Sequence, residues 1–70
     1  MEIADIRAVM TGNHELTIEN YKGIAEYQSD RILVCGREQK LLVTGRGLCI
    51  EYYSRFDLHI SGRIESLQWL

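Results

Sequence analysis

Apolar residues recur at every second position along almost the whole chain. Leu16 and Ile18 alternate with Thr17 and Glu19, Ile32 and Val34 with Leu33 and Cys35, and Leu41 and Val43 with Leu42 and Thr44. Leu48, Ile50 and Tyr52 alternate with Cys49, Glu51 and Tyr53, and Leu58 and Ile60 with His59 and Ser61. A period of two places one set of side chains on one face of an extended strand, so this is the pattern of half-buried strands. Turn-forming residues separate the runs: Gly12-Asn13, Asn20 to Gly23, Ser29-Asp30, Gly36 to Gln39, Gly45 to Gly47, Ser54-Arg55 and Gly62. They return roughly every 8 to 12 residues, the spacing of a meander, sandwich or barrel. The pattern predicts strands at about 5–11, 14–19, 23–28, 31–35, 40–44, 47–53, 57–61 and 63–69. The expected fold is therefore all-β, a small antiparallel meander, sandwich-like or a partly open barrel, with about seven to eight short strands.

Three local features qualify this pattern. In Glu2 to Met10, the residues Ile3, Ile6 and Met10 fall near helical spacing, but a helix this short does not stand alone in water, and a strand is preferred. Ile64, Leu67 and Trp69 share a face only if one residue is inserted, which a β-bulge near Glu65-Ser66 supplies. Leu42-Val43-Thr44-Gly45-Arg46 is echoed by His59-Ile60-Ser61-Gly62-Arg63 at an offset of 17, and more weakly by Val9-Met10-Thr11-Gly12-Asn13. Each copy is a strand ending on Thr or Ser and a glycine, where positive φ costs little. The copies are too few for a solenoid and read as repeated turn chemistry, with Gly45-Arg46-Gly47 as a hairpin turn.

With 70 residues the chain forms one domain, spanning 1–70, whose core is small and whose stability is marginal. The expected core is Ile18, Val34, Val43, Ile50, Ile60 and Trp69, with Tyr52 also inside. The two cysteines, Cys35 and Cys49, sit in apolar stretches and read as buried, reduced thiols. Met1 is followed by Glu2 and Asp5, so no signal peptide is visible, and no apolar run approaches the roughly 18 residues of a membrane helix. A cytoplasmic protein without direct membrane insertion is expected. The net charge of −2, with acids and bases interspersed, argues against nucleic acid as the main partner, because that affinity needs clustered Lys and Arg. Four arginines from Arg31 to Arg55 are interrupted by Glu38 and Glu51 and read as a mixed, solvated face.

Candidate chemistry is sparse. Cys35, Cys49 and His59 are 14 and 10 residues apart, not at the close spacing of a zinc site. Gly45-Arg46-Gly47 is a lone Gly-x-Gly with no helix after it, so it is no phosphate loop. No Ser-His-acid set has a nucleophile-elbow context. No catalytic residue, cofactor, metal or small-molecule substrate is expected. The aromatics carry more information, because Tyr and Trp bury area while keeping a polar tip and are enriched at interfaces. Tyr27, Tyr53, Phe56, Trp69 and Leu70 are the candidate interface. Glu19, Asn20, Tyr21, Lys22 and Gly23 form a candidate recognition turn, in which Asn20 tolerates left-handed backbone and Gly23 is expected to supply positive φ.

One run of residues is more specific than strand-and-turn grammar. It begins with Thr11-Gly12, continues with Glu15-Leu16-Thr17-Ile18-Glu19-Asn20-Tyr21-Lys22-Gly23-Ile24 and Leu42-Val43-Thr44-Gly45 with Leu48 and Ile50, and ends on Ile60-Ser61-Gly62-Arg63-Ile64 and Leu67. In this order the sequence resembles the YabP/YqfC family of bacterial sporulation proteins, from about Val9 to Trp69, with Ile18-Glu19-Asn20 and Gly23 as the most specific block. It departs from the pattern in having no proline, where related sequences carry proline ahead of the first glycine turn. The resemblance implies endospore formation in Gram-positive bacteria, a cytoplasmic place on the mother-cell side, and no enzyme activity or cofactor.

The expected function is thus a non-enzymatic assembly or scaffold module in sporulation. It would bind itself as a homo-oligomer through strand edges and also bind a sporulation membrane or spore-envelope protein. The alternative is a small nucleic-acid-binding β-barrel, which uses Arg and Tyr on one face.

Overall fold

The computed structural model describes residues 5–70. Six strands form one open antiparallel sheet: β1 (Arg7–Thr11), β2 (Glu15–Glu19), β3 (Gly23–Gln28), β4 (Arg31–Cys35), β5 (Lys40–Tyr53) and β6 (Asp57–Trp69). Their order across the sheet is β1-β2-β6-β5-β4-β3, and there is no helix among the described residues. The helical alternative for Glu2 to Met10 fails over Arg7–Met10, which is strand, while residues 1–4 lie outside the described residues.

The strand count is lower than the turn signals suggest, because two of those signals are not turns. Gly45-Arg46-Gly47 lies inside β5 and Gly62 inside β6, so four expected short strands are two long ones. Gly45 and Gly62 are there for close approach, while Gly47 sits in open space at φ +60°. A Cβ on Gly45 would collide with the Arg63 carbonyl, and one on Gly62, where φ is +123°, with the Gly47 carbonyl. At this crossing Arg46 lies opposite Arg63.

The echoed segments explain the architecture. They run antiparallel across the Arg46–Arg63 crossing, and each carries its own flanking hairpin. β4 pairs with the first half of β5 (Ile32 opposite Val43), and β2 with the first half of β6 (Leu16 opposite Ile60). The tips of these hairpins are held in matching ways. Gly45 N donates to Asp30 O (3.1 Å) and Leu48 N to Ser29 O (2.8 Å). Gly62 N donates to His14 O (3.3 Å) and Ile64 N to Asn13 O (2.8 Å). The two halves are thus related by an approximate two-fold through the crossing.

Both halves contribute to one core: Leu16 and Ile18 from β2, Ile32 and Val34 from β4, Leu41, Val43 and Leu48 from β5, and Leu58, Ile60 and Ile64 from β6. Ile6 joins it ahead of β1, with its amide bound by Gln39 Oε1 at 2.9 Å. Non-directional burial of these side chains is the main favourable term in so small a fold.

Bulges decide which expected core residues go inside. An extra residue at Glu65 lets Leu67 and Trp69 follow Ile64 on the core face, as the sequence predicts. Trp69 nevertheless stays 51% exposed, because β2 accompanies β6 only as far as Ser61 and no other strand among the described residues covers the far end. A second bulge at Glu51 rotates Tyr52 out of the alternation. Tyr52 lies opposite His59 on the outer face, ring against ring at 5.5 Å, and is 55% exposed rather than core. Ile50 is half-buried, while Ile18, Val34, Val43 and Ile60 are fully inside.

The thiols correct the sequence reading as well. Both are unpaired, but Cys49 is exposed and Cys35 half-buried. Cys49 lies opposite Ser61, on the outer face of the sheet. Native protein should therefore take up one equivalent of a thiol reagent quickly at Cys49 and a second more slowly. Slow labelling of both thiols would contradict the exposure of Cys49.

Candidate functional site

The turn between β5 and β6 is locally determined. Ser54 Oγ accepts from the amides of Phe56 (3.0 Å) and Asp57 (3.2 Å) and donates to Asp57 Oδ1 (2.9 Å), while Ser54 N donates to Asp57 O (2.8 Å). A hydroxyl that closes its own turn in this way fixes the loop without help from the core. It leaves Arg55 and Phe56 at the tip, with the Arg55 guanidinium 5.9 Å from the Phe56 ring centroid. The Ser54 hydroxyl, followed by His59 (3.1 Å), holds the Asp57 carboxyl below its ordinary range.

The β2–β3 connection docks on this turn. Asn20 takes left-handed backbone at φ 66° and donates through Nδ2 to Asp5 O (3.1 Å). Its own amide reaches Phe56 O (3.4 Å). Tyr21 Oη donates to the Ser54 carbonyl. Burial, and then the nearby Asp57 carboxylate, push the Tyr21 phenol above its usual value, so it remains a donor at neutral pH. Gly23 corrects its expected role: it is not among the positive-φ residues, and a Cβ there would meet open space.

Tyr21 separates two concavities. One, of about 530 Å³, opens among Tyr21, Lys22, Gly23, Ile24, Tyr53 and Ser54. The other, of about 550 Å³, lies between Glu19, Asn20 and Lys22 on one side and Phe56 and Asp57 on the other. Arg55 borders both.

The structure thus brings the recognition turn Glu19–Gly23 together with Tyr53 and Phe56, two of the interface candidates. Tyr27 stands apart, 50% exposed on β3, with its hydroxyl bound by the Ile50 amide at 2.9 Å. Trp69 and Leu70 lie farther off, on the far side of β4 and β5 from Gly23. Sequence reasoning read Ser54-Arg55 only as a turn and assigned neither these two nor Asp57 to the site, although Ser54-x-x-Asp57 is itself a turn signature that ties them together.

β6 has a second free feature. Leu70 N donates to Lys40 O (2.9 Å), and Gln68 lies opposite Leu42. In an antiparallel ladder the intervening residues then aim their backbone groups the other way. The N–H and C=O of Leu67 and Trp69 therefore face outward, along an edge with no partner strand among the described residues.

Among the described residues no three His, Cys, Asp or Glu side chains converge as a metal site would require, and no helix is long and apolar enough to cross a membrane. No curated protein and no solved structure matches the chain. The model of the YabP family matches residues 4–70, nearly the full length, and the chain therefore belongs to the YabP family.

Proposed function

We propose that this protein is a non-enzymatic assembly module in sporulation that associates with itself through the outer edge of β6. The family points to sporulation. The observation that carries the mode of action is the unpaired edge from Leu67 to Trp69, bordered by Trp69 and Leu70, which are 51% and 60% exposed. An edge strand with free backbone donors and acceptors is a template for another strand, and covering its apolar side chains contributes about 25 cal/mol per Å². Two copies joined antiparallel with Leu67 opposite Leu67 would set Glu65 against Trp69 of the other copy. A register centred on Glu65 would place two carboxylates opposite each other, which is unfavourable. A membrane or spore-envelope protein of the same process is the further partner this reading expects.

Light scattering tests the proposal. The protein is expected to be a dimer or larger at high micromolar concentration. Trp69→Lys, which changes an exposed side chain, is expected to reduce the apparent mass to that of a monomer and to leave the circular dichroism of the sheet intact. A monomeric wild type at that concentration would overturn the proposal.

A further inference from the structure

β3 and the second half of β5 face each other across a seam. The strands converge where Leu48 N meets Ser29 O (2.8 Å) and where Ile50 N meets Tyr27 Oη (2.9 Å). Beyond that point they share no ladder. Gly23 and Ile24 of β3 and Tyr53 and Ser54 at the end of β5 all line the 530 Å³ concavity. Among the described residues β5 pairs with β6 on one side only here, and β3 pairs only with β4, so two strand edges border one opening.

Charge at the mouth is one-sided. Lys22 and Arg55 both line it, and neither makes an ion pair among the described residues. Glu19, which faces Arg7 (3.9 Å), and Asp57, bound by Ser54 (2.9 Å) and His59 (3.1 Å), line the neighbouring concavity and not this one. The unpaired charge at the opening is therefore cationic, although the whole chain carries −2. Tyr21 and Tyr53 supply flat, partly apolar walls behind it.

We propose that this seam is a docking groove for an extended, acidic segment of a partner protein. The segment enters as a strand, its backbone pairs with the two facing edges, and its carboxylates meet Lys22 and Arg55. Addition of a strand gives affinity through main-chain hydrogen bonds, and the flanking charges give selectivity. The groove lies away from the β6 edge, so a protein can occupy it whether or not the chain is oligomeric.

The test uses the full chain, labelled with ¹⁵N, and a capped synthetic peptide of alternating Glu and Val, with a Lys-Val peptide and oligothymidylate as comparison probes. The Glu-Val peptide is expected to shift the amides of Ile24 and Tyr53 saturably, and more weakly at higher salt. Lys22→Glu combined with Arg55→Glu is expected to weaken it by about ten-fold or more. Gly23→Trp fills the open space beside Gly23 and is expected to abolish binding while the rest of the spectrum stays native. The proposal is overturned if no saturable shifts occur at millimolar peptide, or if the Lys-Val peptide binds equally well. It is also overturned if oligothymidylate binds more tightly than the Glu-Val peptide, or if natively folded Gly23→Trp binds as the wild type does.

Discussion

Gly45→Ala is expected to cost about 3 kcal/mol or more, enough to leave this domain largely unfolded in mild urea. The added methyl would collide with the carbonyl oxygen of Arg63, and the Glu65 amide nitrogen would lie only 3.2 Å from it. Both are backbone atoms of the paired strand, so no side-chain rotation makes room. Relief requires β5 and β6 to separate at the crossing that joins the two halves of the sheet. A domain of this length has a total stability of roughly 0.1 kcal/mol per residue, and one such clash removes a large part of it. Gly23→Ala is the matched control, because its Cβ meets nothing within 4 Å. Urea denaturation should show a sharp fall in midpoint for the first variant and almost none for the second. An unchanged midpoint for Gly45→Ala would mean that the strands do not approach so closely.

The alternation of apolar residues made the strands legible, since β2, β3 and β4 lie close to where the period of two places them. The bulge at Glu65 was legible too, because Leu67 and Trp69 cannot otherwise share a face with Ile64. What the sequence concealed was the use of its glycines. A glycine that opens a turn and a glycine that lets two strands touch look alike in one chain, because only a second strand distinguishes them. Gly45-Arg46-Gly47 and Gly62 were therefore indistinguishable from hairpin turns until the β5–β6 register was known. The bulge at Glu51 carries no compositional mark, so the alternation alone places Tyr52 in the core. The candidate site was half legible. Asn20 and Tyr21 stood out as a turn, and Tyr53 and Phe56 as surplus aromatics, but their meeting around Ser54 depends on a long-range docking that no local pattern encodes.

Ile60→Ala and Ile50→Ala should differ several-fold in cost, although the two residues face each other in one cross-strand pair. Alternation alone ranks them equally. Ile60 is 1% exposed, with Leu16 of β2 opposite it on one side and Ile50 of β5 on the other. Its truncation leaves a cavity that neighbours on both sides are too constrained to fill, at about 2–5 kcal/mol. Among the described residues Ile50 has a paired strand, β6, on one side only. On its other side lies the seam toward β3, and the Tyr27 hydroxyl holds its amide there. Part of its side chain is already in water, so removing it forfeits less transfer free energy, about 1 kcal/mol, and leaves a dent in the surface, not a void. Chemical denaturation of the two variants, with unchanged urea slopes, measures the difference directly. Equal losses would mean that the far edge of β5 is covered, and the groove proposed between β3 and β5 would then have no opening for a partner to enter.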